Sequence, residues 1–169
     1  MKKLLVLFSI VLLFLSYNKY QKKIEIPKES IRFRIVANSN SNEDQKLKMK
    51  IVNNLKKELI HTEQLHSIKE TRLYIEKKLP KIEQIVEKTI KNNNSNNSFH
   101  INYGKNFFPE KNYKNIKYKS GKYESLVIEL GKASGNNFWC VLFPPLCFTE
   151  QEENIEYKSI IKELIDKYF

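Results

Sequence analysis

The only two cysteines of the chain, Cys140 and Cys147, lie in an apolar stretch rich in aromatic residues and prolines, Trp139 to Phe148. Six residues separate them, and the adjacent Pro144 and Pro145 fix two backbone φ angles that could turn the chain so that the sulfurs meet. Closing this loop would contribute about 2.5 kcal/mol in the loop-entropy model. We expect a disulfide if the domain reaches an oxidising compartment, and two buried thiols packed as small hydrophobes are the alternative.

Residues that could catalyse a reaction are few and badly spaced. His61 and His66 are five positions apart, which sets them about 140° apart on a helix, unlike the pair four residues apart that shares a metal ion. Cys140 with His100 would form a nucleophile and base, but no local family signature accompanies them. The glycines do not form a phosphate-binding loop. The sequence therefore favours a protein that is not an enzyme and uses no metal ion or cofactor.

The chain is strongly basic, with a formal net charge of +11 at pH 7. Of its 30 basic residues all but three are lysines; the three arginines are Arg32, Arg34 and Arg72. Recognition of nucleic acid favours the planar arginine fork, so we expect no nucleic-acid partner. A basic exported domain would instead make nonspecific contact with anionic membrane or wall polymer.

The N-terminus resembles an export segment. Lys2 and Lys3 precede an uncharged apolar run from Leu4 to Leu15, which has the length of the hydrophobic part of a signal peptide and is short for a membrane span. No clear small-residue cleavage site follows it. We therefore expect residues 1–20 to be a signal peptide or membrane anchor and residues 21–169 to form one exported domain; a buried core helix is the alternative.

Alternating apolar residues predict strands, and helical spacing predicts helices. The strand candidates are Ile31 to Ala37, with a single buried face, a strand from Phe99 that ends at Gly104, Tyr123 to Leu130, and Phe138 to Phe143. Residues 106–120 suggest an irregular crossing or a weak strand pair.

Capping boxes mark the predicted helix starts. Pro80 should interrupt or restart the second helix. We expect an α+β fold in one domain, a small mainly antiparallel sheet with amphipathic helices packed on it. The capping boxes are Ser41 with Asp44, Ser67 with Glu70, and Thr149 with Glu152.

Two segments resemble one known family. IRFRIVANSNSNEDQKLKMKIVNNL, from Ile31 to Leu55, and YESLVIELGKASGNNFWCVLFPPLCF, from Tyr123 to Phe148, are similar to the stage II sporulation protein R family of endospore-forming Firmicutes. The second motif is the more specific, because a tryptophan-cysteine strand that runs into Phe-Pro-Pro-Leu-Cys-Phe is rare by chance.

The resemblance implies a signalling protein that is exported from the forespore into the space between the two membranes. Its implied partner is the mother-cell membrane protease that processes pro-sigma-E. The alternatives are an exported cell-wall-associated enzyme and a membrane-anchored structural protein.

Both motifs border predicted strand ends, so one sheet edge could present them together to the protease, because turns at such ends often carry function. The residues expected at this contact are Asn38, Asp44, Trp139, Phe143, Pro144, Pro145 and Phe148.

Overall fold

Two β-sheets and two long helices make up the part of the chain that the structure, a computed structural model, describes: residues 24–113, 116–146 and 165–168. The strands of the main sheet are β2 (Ile31–Val36), β3 (Phe99–Phe108), β6 (Gly121–Leu130) and β7 (Asn137–Phe143). The strands of the small sheet are β1 (Ile24–Glu25), β4 (Lys111–Tyr113) and β5 (Ile116–Tyr118). The main sheet has the order β3-β6-β2-β7 and the small sheet the order β1-β5-β4.

The main sheet is mixed, with a parallel pair, β2 and β6, at its centre. Strands β3 and β7 pair antiparallel with β6 and β2 at the two edges. The parallel pairing follows from the connection after β2, because two antiparallel helices bring the chain back to the end of the sheet at which β2 finishes. Strand β3 then runs opposite to β2, and β6 runs parallel to it. The prediction of an α+β domain is confirmed, but the expected mainly antiparallel sheet is wrong at its centre.

Two helices begin where the capping boxes of Ser41 and Ser67 predict, and the third box, Thr149 with Glu152, lies outside the described residues. Helix α1 spans Asn42–Leu59, a 3-10 turn follows at Ile60–Gln64, and helix α2 spans Ile68–Asn92. The backbone N–H groups of Asp44 and Glu70 each donate to the capping serine hydroxyl at 3.2 Å. Pro80 does not interrupt α2, because it lies on the exposed side, where water can bind the carbonyl that it leaves without a donor.

One face of the main sheet packs against both helices and forms the core. The final described turn, residues 165–168, adds Tyr168, whose ring lies 5.1 Å from that of Phe143. The fully buried members of the core include Phe33 and Ile35 of β2, Leu126 and Ile128 of β6, Ile51 and Leu55 of α1, and Ile75 and Ile82 of α2.

The opposite face is also covered, contrary to the prediction of a strand with a single buried face. Arg32 on this face is only 1% exposed. Strand β3 does not end at Gly104 but continues to Phe108, because the Phe108 side chain is buried on the same face as Arg32. The weak strand pair expected between residues 106 and 120 is present as β4 and β5.

Two expected segments lie outside the described residues. The first is the signal peptide or anchor at residues 1–20, and the second is most of the final helix. Within the described ranges, no helix is both long enough and apolar enough to cross a bilayer.

Candidate functional site

The first sequence motif forms a hydrogen-bonded cluster at the end of β2. The Asp44 carboxylate accepts from Asn38 Nδ2 at 2.8 Å, from Ser39 Oγ at 2.6 Å and from Asn97 Nδ2 at 3.0 Å. These bonds join the β2–α1 loop to the loop before β3. They also lower the pKa of Asp44, with the Ser39 bond as the largest cause.

The same loop binds the turn between β6 and β7, which lies within the second motif. Asn38 Oδ1 accepts from the Lys132 backbone N–H at 2.9 Å, and the Asn38 carbonyl accepts from the Ser134 hydroxyl at 2.6 Å. Asn40 Oδ1 accepts from the Asn136 N–H at 2.7 Å. We call the β2–α1 loop with Asp44, Asn97 and the turn 131–136 the polar clasp, because it ties the two motifs to each other.

Two glycines let the turn approach this loop. A Cβ atom at Gly131, which has φ +54°, would lie 2.2 Å from Asn38 Oδ1. A Cβ atom at Gly135 would lie 2.1 Å from the Ser39 carbonyl oxygen. Only glycine fits this close contact without movement of the backbone.

Lys48 continues the clasp toward β7. Its ammonium group is buried and donates to Gln45 Oε1 at 2.6 Å and to the Asn136 carbonyl at 3.0 Å. Burial lowers its pKa, and the positive charge of Lys111 lowers it further. Positive charge therefore gathers where β7 begins.

Arginines and aromatic rings alternate on the face of the main sheet opposite the helices. Arg32 lies between rings, with its guanidinium carbon 3.3 Å from the Tyr123 centroid and 5.5 Å from the Phe108 centroid. Arg34 lies 4.9 Å from Phe108 and 5.5 Å from Trp139. Lys111 Nζ lies 5.1 Å from Trp139. We call this row the arginine–aromatic ladder; in order, its members are Tyr123, Arg32, Phe108, Arg34, Trp139 and Lys111.

The ladder arginines have buried nitrogens without partners. Nε and Nη2 of Arg32 and Nε of Arg34 form no hydrogen bond within the described part of the chain. Burial lowers the pKa of both groups, and Glu129 opposes this at Arg34 without forming an ion pair among the described residues. Cation–π contacts with the rings therefore stand where a paired carboxylate usually compensates a buried arginine.

A cavity of about 200 Å³ lies at the outer end of the ladder. The lining residues are Lys111, Tyr118, Asn137, Phe138 and Trp139. Two of them, Trp139 and Lys111, belong to the ladder, and the ring centroid of Tyr118 lies 5.7 Å from the guanidinium carbon of Arg32. This site is aromatic and cationic, and within the described ranges no group of three metal-binding side chains comes together.

The structure does not bring the predicted contact residues to one sheet edge. Because β2 and β7 are antiparallel, Asn38 follows one end of β2 while Phe143 pairs with Ile31 at the other. Asp44 lies with Asn38 in the clasp, whereas Trp139 lies in the ladder.

The proline loop is turned inward. Phe143, Pro144 and Pro145 are buried, and the Phe143–Pro144 peptide bond is cis. Phe148 lies outside the described residues. A role of these residues in partner binding stays a prediction.

The predicted disulfide also stays a prediction. Cys140 lies in β7 opposite Phe33 and is partly buried against the helix-side core. Cys147 lies outside the described residues.

Sequence reasoning missed the role of the arginines. Arg72 donates to both carboxylate oxygens of Glu124, at 2.8 and 2.7 Å, and Tyr103 donates to the same group at 2.6 Å. All three arginines thus use the planar guanidinium, two by stacking and one by a bidentate pair. The signal for a special role was that only these three of the 30 basic residues are arginines, while all the others are lysines.

The fold is a small α+β domain in which hydrogen bonds of the polar clasp join the two sequence motifs. The sequence profile described as Stage II sporulation protein R matches residues 27–153, and the chain belongs to this family. It is 41% identical over 145 residues to Stage II sporulation protein R of Bacillus subtilis (strain 168), a match that covers 85% of this chain. The chain spans 63% of the length of that relative. No solved structure matches it significantly.

Proposed function

We propose that this protein is an exported signalling protein of endospore formation that activates the mother-cell membrane protease for pro-sigma-E. It passes from the forespore into the space between the two membranes, where its domain acts on the protease by binding and catalyses no reaction itself. Residues 1–20 deliver it across the membrane as a signal peptide or anchor.

The observation that supports this proposal most is the family match, which runs through both motifs. The clasp adds a structural reason, because Asn38, bonded to Asp44 of the same first motif, holds the turn within the second. Together they fix the start of β7, and hence Trp139, relative to the rest of the sheet. A rigid surface of this kind suits binding, since little conformational entropy is lost when a partner docks.

The proposal is tested by complementation, in which this chain replaces stage II sporulation protein R in Bacillus subtilis. The full chain is produced in the forespore of a Bacillus subtilis strain that lacks its own stage II sporulation protein R, and cleavage of pro-sigma-E is followed by immunoblot. A chain that lacks residues 1–20 is the matched control, because it should remain in the compartment where it is made. Cleavage with the full chain and none with the control is the expected result.

Two outcomes would contradict the proposal. Absence of cleavage, although the full chain accumulates outside the membrane, would remove the signalling role. Equal cleavage with the shortened chain would show that export is not part of the mechanism.

A further inference from the structure

The outer end of the ladder combines a strand edge, positive charge and an aromatic wall. Strand β7 is an edge strand of the main sheet, because within the described residues only β2 pairs with it there. Three consecutive residues of β7, at positions 137–139, line the cavity. Side chains of consecutive strand residues point to opposite faces, so a cavity lined by all three runs along the strand edge rather than over one face.

The charge around this edge is positive. Lys111 lines the cavity, and Arg34 shares the Trp139 ring with it. The Lys48 ammonium group is close by, bonded to the carbonyl of Asn136, directly before the strand. Glu129 is the carboxylate whose charge acts on Arg34, and it forms no ion pair with it in the described part of the chain.

A strand edge with these neighbours fits one kind of occupant. An extended peptide can add to an exposed sheet edge through main-chain hydrogen bonds, while its alternate side chains enter pockets beside the strand. A carboxylate on that peptide would meet Lys111, which lines the cavity, and apolar atoms would meet the Trp139 ring. Arg34, beside the same ring, adds positive charge behind it. A cavity of about 200 Å³ holds one or two side chains rather than a large cofactor.

We propose that the outer edge of β7 at residues 137–139 binds an extended acidic segment of a protein partner, with a carboxylate beside Lys111. Binding at this edge is measured on the purified protein, so its absence would leave the proposed activation of the protease untouched.

The chain carries its own reporter for this site. Trp139 is its only tryptophan, and it lies in the wall of the cavity. We would titrate the purified full chain, in uncharged detergent, with a fluorescently labelled six-residue peptide of alternating glutamate and valine. Tryptophan fluorescence and peptide anisotropy are measured together, so that binding elsewhere is also detected. Saturable changes in both signals, weakened by added salt, are expected.

Two variants locate the binding site. Lys111→Gln should weaken the peptide affinity about threefold to fivefold, because one partly solvated charge pair is lost. Lys122→Gln is the matched control, since Lys122 is an equally exposed lysine that does not line the cavity, and its affinity should be unchanged. Equal effects of the two substitutions, or anisotropy changes without a tryptophan response, would overturn the proposal.

Two further probes test the chemistry. A lysine and valine peptide should not bind, and a glutamate and valine peptide with N-methyl groups at alternate residues should bind at least about tenfold more weakly, because it cannot donate to the strand edge. Undiminished binding of either peptide would overturn the proposal. So would a tighter, Lys111-dependent binding of inorganic polyphosphate, which would assign the edge to phosphate polymers.

Discussion

At the residue scale, the side chains of the first motif hold the fold together. Asn38 and Asp44 lie just after the end of a strand, as the sequence predicts. Their polar atoms, however, form hydrogen bonds with other parts of the domain. A polar residue in a distinctive motif is therefore no direct indicator of a contact surface. The clasp bonds give these two residues a structural role, and their role in partner binding stays a prediction.

Substitution of Asp44 by Asn should destabilise the domain by about 1 to 2 kcal/mol at pH 7, because an amide accepts fewer and weaker hydrogen bonds than a carboxylate. Urea unfolding followed by circular dichroism measures the effect. Glu43→Gln is the matched control, since Glu43 is an exposed carboxylate of the same helical turn. Equal losses in both variants would mean that the helix dipole, rather than the clasp, is responsible.

The pH dependence of the Asp44 effect has a definite sign. The clasp bonds lower the folded-state pKa below the unfolded value of about 3.9, so the carboxylate contributes stability above that pH. This contribution is lost as the pH falls through the folded-state pKa. The difference between the native chain and Asp44→Asn should therefore shrink in urea titrations below about pH 4. A difference that stays constant from pH 7 to pH 2.5 would contradict the account.

Arg32 allows a test of the ladder. Replacement by Met keeps most of the side-chain volume and removes a buried charge, two nitrogens of which have no hydrogen-bond partner among the described residues. Because such charges are expensive to bury, the free energy of unfolding should be unchanged or higher by about 1 to 2 kcal/mol. Thermal and urea unfolding of the purified variant provide the measurement. A loss of more than about 2 kcal/mol would show that stacking on Tyr123 outweighs the cost of burial.

At the element scale, hydrophobic periodicity and capping residues predicted the features that depend on nearby residues in the sequence, namely where helices begin and which segments form strands. Ser41 and Ser67 each mark the start of a helix, because their hydroxyl groups accept hydrogen bonds from backbone N–H groups of the first helical turn. The alternation of apolar residues from Ile31 onward predicts β2. Pairing partners were not predictable in this way, because the parallel centre of the sheet depends on the path through two helices. The burial of Arg32 was missed because it depends on rings from β3 and β6, far away in sequence.

The turn between β6 and β7 gives an element-scale prediction. Gly135→Ala should destabilise the domain by about 1 to 3 kcal/mol, because the new methyl group meets the Ser39 carbonyl oxygen of the clasp. Gly104→Ala is the matched control; its methyl group would meet its nearest neighbour at 3.7 Å, an ordinary contact. Urea unfolding of both variants gives the comparison. Equal stabilities would mean that the turn shifts freely and the clasp is not tight.

At the scale of the whole molecule, the α+β class and single domain followed from the order of the predicted elements, and the family from two motifs. The candidate site did not follow. Arg34 and Trp139 meet only because β2 and β7 pair, and the Lys111 contribution comes from a strand of the second sheet. Such a site exists only once three distant segments are folded together.

The cysteine pair tests the compartment of the molecule. We expect a Cys140–Cys147 disulfide in the exported protein, because both thiols flank the proline turn and the N-terminus resembles an export segment. Mass spectrometry of peptides from material that was alkylated without reduction gives the answer. Recovery of both cysteines as alkylated thiols from protein outside the membrane would refute the bridge.

The most direct test of the central claim, activation of the protease, is reconstitution in a bacterium that does not sporulate. Cells produce the membrane protease and pro-sigma-E, with or without the full chain directed to the outer side of the membrane, and the fraction of cleaved pro-sigma-E is measured by immunoblot. Our account predicts cleavage only when the protease and this chain are both present. The same cleaved fraction with and without the chain would contradict it.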